Sequence, residues 1–157
     1  MNDRTTRLLR LAATQLAIFV GMIHFWLGAR NWSAYLAGGN VVPPDIRGPL
    51  FLVSGLVLMI GAAIVMVEDI TDRRVYVGGI VLSAAYLVGY YAWHLGGHSF
   101  LSGGTRNADI GGHSNPIEFL VSHTFVFNDP VTFFSLLTEA ALLVLLLVLL
   151  GRPEPDI

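Results

Sequence analysis

Four apolar runs, at about residues 11–28, 49–67, 75–95 and 131–150, leave this sequence few architectures. Each is close to the ~20 residues an α-helix needs to cross a bilayer. The rest of the composition agrees: the 157 residues are 54% hydrophobic and 13% charged, with mean hydropathy +0.65. A soluble domain carries about 25% charged residues, and lipid accounts for the shortfall. The expected fold is all-α, an integral membrane four-helix bundle occupying residues 1–157 as a single four-span domain, with a long outer loop over residues 96–129 that contains a short helix.

Local signals set the ends of the runs. The first follows the basic cluster Arg4, Arg7 and Arg10. It is longer than the ~7–15 apolar residues of a secretory signal core, and three more spans follow it, so it reads as a retained helix. Pro43 and Pro44 break the chain before the second, with Asp45 as its N-cap. Small residues Ser54, Gly55, Gly61, Ala62 and Ala63 on that run suit close helix packing. The charged turn from Glu68 to Arg74 separates the second run from the third, and Asn128-Asp129-Pro130 opens the fourth. Inside the loop, Asn115-Pro116-Ile117-Glu118 has the pattern of a helix start, with Phe119 and Leu120 available to the membrane. The repeated Gly-Gly-His-Ser at 96–99 and 111–114 is the clearest internal echo.

Arg4, Arg7, Arg10, Arg73, Arg74 and Arg152 fall on one side of the expected membrane, and Arg30, Arg47 and Arg106 on the other. Because basic residues favour the cytoplasmic face, this distribution places both termini in the cytoplasm and the 96–129 loop outside. The protein is thus expected to be multi-pass and integral to the cell membrane. The net charge of −2 gives no electrostatic footprint for nucleic acid. All basic residues are Arg and there is no Cys. That excludes Schiff-base lysine chemistry, thiol–disulfide exchange, c-type haem attachment and cysteine-ligated iron–sulfur clusters. There is also no His-Glu-x-x-His helix, no Gly-x-Ser-x-Gly elbow and no phosphate-binding loop.

Chemistry concentrates in the outer half of the bundle. Tyr86, Tyr90, His94 and His98 recur at steps of four and share one helix face. His24 on the first run and Glu139 on the fourth lie at overlapping depths, Glu139 being ~13 Å below the start of its helix. Ionisable groups at membrane depth are costly and turn to the bundle interior, so His24, His94 and Glu139 are expected to converge, with Tyr90 beside them. One outcome is a helix staple, in which His24 bonds Glu139 and nothing more. A second is axial ligation of haem b by His24 and His94, with Arg30 placed for a propionate. A third is a metal ion held by His94 and His98, completed by His24 or by His113, His123, Asp109 or Glu118 from the loop. Trp26, Trp32, Tyr91 and Trp93 read as an interfacial aromatic belt.

From Arg7 to about Leu95 the order of features resembles the DoxX-like four-helix membrane proteins. It is carried by RLLRLAATQLAIFVGMIHFWLG, by PPDIRGPLFLVSGLVLMIGAAIV after a loop, and by VYVGGIVLSAAYLVGYY after a short turn. The resemblance implies a compact bundle and, for some relatives, a link to quinone-dependent sulfur oxidation or redox homeostasis. The long outer loop departs from that pattern. Three functions follow as expectations: a small redox-associated membrane protein, carrying haem b or a metal or sitting beside a quinone-linked enzyme; a non-enzymatic accessory or assembly subunit of a membrane complex; and a small proton-linked transporter using Glu139. Whether the chain is an enzyme stays open, as does its cofactor. The bilayer, other membrane subunits and a quinone are the partners these readings involve.

Overall fold

The computed structural model describes residues 3–39, 45–68, 72–95 and 130–152. Four helices fill them: α1 (Asp3–Ala37), α2 (Arg47–Glu68), α3 (Arg73–Leu95) and α4 (Pro130–Leu150). Each contains a window long and apolar enough to span a membrane. The expected loop helix near residues 117–123 lies outside the described residues.

The helices extend past the apolar runs where the local sequence allows. α1 runs well beyond residues 11–28, because nothing in it interrupts the backbone ladder until Gly38-Gly39. There the Gly38 and Gly39 amides donate to the carbonyls of Ala34 and Leu36, and Gly39 takes φ +80°, a cap that suits glycine. At ~1.5 Å per residue the 35-residue helix is ~52 Å long. α2 is capped as expected: the Arg47 amide donates to Asp45 Oδ1 at 3.0 Å. α3 has the same device, the Arg74 amide donating to Asp72 Oδ1 at 2.8 Å, so it starts at Arg73 rather than at Val75.

Successive helices run antiparallel. We call the end that carries residues 3 and 152 the termini end, and the opposite end the loop end. α1 lies most intimately against α2, because two glycine pairs let the backbones touch. A Cβ built on Gly55 would stand 2.6 Å from the carbonyl oxygen of Gly21, and one built on Gly28 would stand 2.7 Å from that of Gly48. The seven-residue spacing on each helix, 21 to 28 and 48 to 55, keeps both pairs on one seam. α4 packs on α3 and on α1, whereas α2 and α3 scarcely touch. The lateral order is therefore α2–α1–α4–α3, open between the two outermost helices.

The solvent logic of a soluble bundle is inverted. Val67, Val81, Val88 and Met66 are among the most exposed side chains, while Thr14, His24, Ser54, Ser83, Ser135 and Glu139 are buried. Only a bilayer makes that arrangement favourable, since apolar side chains facing water on every helix would gather into patches far above those of soluble monomers. Ala13, Val20, Leu58, Leu142, Leu146 and Leu149, with the ring of Tyr76, form the apolar core, weighted toward the termini end.

Candidate functional site

Polar chemistry inside the bundle centres on His24. It sits on α1 between Gly21 and Gly28, on the stretch that the glycine seam presses against α2. His24 is 1% exposed and Glu139 on α4 is 3% exposed. The Nε2 atom of His24 bonds Oε1 of Glu139, joining α1 to α4. Its Nδ1 atom lies 3.3 Å from Oγ of Ser54 on α2. Ser135, one turn before Glu139, donates to the same carboxyl oxygen at 3.4 Å. Over the imidazole lie the rings of Tyr86 from α3 at 4.4 Å and Phe51 from α2 at 5.0 Å. Tyr86 in turn donates its hydroxyl to the Leu50 carbonyl at 2.8 Å, linking α3 to α2. Side chains from all four helices thus meet around one imidazole.

Both nitrogens of the imidazole therefore have a polar partner, and the Ser54 hydroxyl also reaches the Phe51 carbonyl at 3.0 Å. Polar partners on every side reduce the large penalty of placing ionisable groups in a low-dielectric interior.

The other residues singled out by sequence sit elsewhere. His94 lies two helical turns beyond Tyr86, ~12 Å along α3. Its Nδ1 donates to the Tyr90 carbonyl at 2.9 Å, and its ring stands 4.3 Å from that of Tyr90 and 4.6 Å from that of Trp93. It is Tyr86, not Tyr90, that packs on His24. Arg30 is exposed, with its guanidinium 5.5 Å from the Trp26 ring. His98, His113 and His123 lie outside the described residues. At the loop end, Arg47 stacks on the Trp93 ring at 4.0 Å and pairs with Asp45. Burial would push the Asp45 carboxyl up, but hydrogen bonds from Arg47 and its charge outweigh that and hold the carboxyl below its ordinary value.

The donor set around His24 does not fit an axial haem ligand. Both ring nitrogens are already bonded within the protein, so ligation would require breaking the Glu139 or the Ser54 contact. Among the described residues no three His, Cys, Asp or Glu side chains gather closely enough to hold a metal ion. Ser54, Ser135 and Phe51 belong to the cluster without being marked as site residues by the sequence. Ser135 has the clearest signal, four residues before Glu139 and hence on its face; Ser54 reads there only as a small packing residue. No family model, no curated protein and no solved structure matches this chain.

Proposed function

We propose that this chain is a non-enzymatic accessory subunit, a rigid four-helix membrane body whose interior polar groups lock the helices together. The observation that carries this reading is His24, bonded at both nitrogens to two different helices and covered by a ring from α3. A cofactor ligand keeps a nitrogen for the cofactor, whereas a staple uses both. The resemblance of residues 7–95 to DoxX-like proteins agrees with a compact bundle of this kind, and the Arg distribution favours placing the termini end in the cytoplasm. An absorption spectrum and metal analysis of detergent-purified protein test the reading. A colourless, metal-free preparation whose His24→Ala variant loses thermal stability is the expected result. A Soret band that disappears in His24→Ala overturns it.

A second reading, a redox-associated subunit beside a quinone-linked enzyme, is favoured by one observation. Aromatic and imidazole rings follow one another along α3 from the His24 cluster toward the loop end, through Tyr86, Tyr90 and His94. It requires quinone-dependent turnover in membranes that falls when Tyr90 or His94 is replaced and the fold is intact.

A further inference from the structure

The parting of α2 from α3 leaves a cavity of about 560 Å³ in the termini half of the bundle, on the far side of the core from His24. Its walls are almost wholly apolar, supplied by side chains such as Leu58, Val65, Leu82 and Leu146. Two glycines hold it open. Gly61 on α2 and Gly78 on α3 both line it, and a Cβ added at either meets nothing within 4 Å. From Tyr76 to Ala85 the α3 wall is ~13 Å long, close to half the ~30 Å hydrocarbon thickness and so one leaflet deep.

The polar end of this cavity is unsatisfied. Tyr76, only 8% exposed, lines it with a buried hydroxyl that has no hydrogen-bond partner, and Nε of Arg10 is likewise buried and unpartnered in the same wall. Both sit near the termini end, where headgroups lie. Buried donors are rarely left without an acceptor, and two of them at the termini end of an apolar space about one leaflet deep describe a particular kind of guest. We propose that this cavity binds one acyl chain of an anionic amphiphile from the termini-side leaflet, its carboxylate or phosphate oxygens accepting from Arg10 and Tyr76. The positive charge of Arg10 selects an anionic head over a neutral one, because charge-assisted hydrogen bonds are about twice as strong. The site is independent of the role of His24.

A free fatty acid and a tail of an acidic phospholipid offer the same chemistry, and native mass spectrometry of the full chain released from phosphatidylcholine nanodiscs separates them. The nanodiscs carry oleate, phosphatidylglycerol, monoolein or a short-chain ubiquinone in parallel. A retained adduct with oleate, with phosphatidylglycerol or with both is expected, and the pattern names the source. Gly61→Leu and Gly78→Leu fill open space and should remove the adduct while helicity by circular dichroism is unchanged. Arg10→Gln and Tyr76→Phe should each weaken retention about tenfold. Equal retention of monoolein, preferential retention of ubiquinone, no adduct with either anionic lipid, or adducts indifferent to all four substitutions would each overturn the proposal. Should one glycine variant fail to fold, the other and Arg10→Gln carry the test.

Discussion

At the scale of single residues, the His24–Glu139 contact is the interaction whose loss should matter most. Replacing Glu139 by Leu leaves a buried imidazole nitrogen without its partner, and breaking a buried pair from one side costs about 3–5 kcal/mol in soluble proteins. Partners found in the membrane-embedded unfolded state reduce such effects, so we expect about 2 kcal/mol, read by SDS-induced unfolding in mixed micelles. Glu139→Gln keeps an oxygen and a donor and should cost less than half as much. A loss for Glu139→Leu no greater than for a lipid-facing substitution such as Val88→Ala would deny the pair its structural role. Asp45 offers a pH dependence of definite sign. Its carboxyl is held below its ordinary value by Arg47, so the cap it forms on α2 is fully present above about pH 4, the usual carboxylate pKa. The cap is lost as pH falls through the lowered value. The protection of the Arg47 amide, its exchange rate compared with the intrinsic rate at the same pH, should therefore fall only on acidification below that range, and a fall in protection on raising the pH instead would contradict it. The cost of placing ionisable groups in lipid, with their depths, led to the expectation that His24, His94 and Glu139 converge beside Tyr90; His24 and Glu139 do meet, whereas His94 bonds the Tyr90 carbonyl farther along α3. Ser54 and Tyr86 were not legible as neighbours of His24, because which serine and which ring of a four-step stripe meets an imidazole depends on helix rotation, and the sequence carries that only weakly.

At the scale of helices, the contrast among glycines is the sharper lesson. Composition shows many glycines without showing which ones face a neighbouring backbone; Gly28 and Gly55 do, while Gly61 and Gly78 face open space. Gly28→Leu and Gly55→Leu should drive α1 from α2 and destabilise by at least about 1–3 kcal/mol. Gly61→Ala should be neutral or stabilising by up to about 1 kcal/mol, through helix propensity alone. Unfolding midpoints of the three variants measured together would test this, and equal effects would mean that the seam between α1 and α2 is not a close one. Helix existence and type were legible from apolar run length. The true starts of α1 and α3 were not, since polar flanks such as Asp3 to Arg10 and Asp72 to Arg74 can be helical outside lipid, and hydropathy is silent there.

For the whole molecule, the four spans among the described residues run alternately up and down, and our proposal that the termini end faces the cytoplasm rests on the excess of Arg there. Reporter fusions at Asp72 and at Arg152 are expected to read cytoplasmic, and one at Asn107 external; the opposite pattern reverses the orientation without altering the bundle. The four membrane-length helices of the described residues were legible, because the length of an apolar run and the thickness of a bilayer leave little choice. The lateral order of the helices was not, since every one of them is apolar nearly all round and no amphipathic stripe announces its neighbours.

The separation of α2 from α3 has a mechanical side. The two helices are pinned toward the loop end by Tyr86 on the Leu50 carbonyl and by Arg47 on Trp93. Toward the termini end, only residues 69–71 join Glu68 to Asp72 in the sequence. The opening between them is therefore a window fastened at its lintel and its sill. Such an aperture can be entered sideways by something slender that slides in from the surrounding leaflet, but it cannot swing wide like a door hinged on one edge. Size exclusion at that frame, rather than any change in the shape of the bundle, would decide what passes.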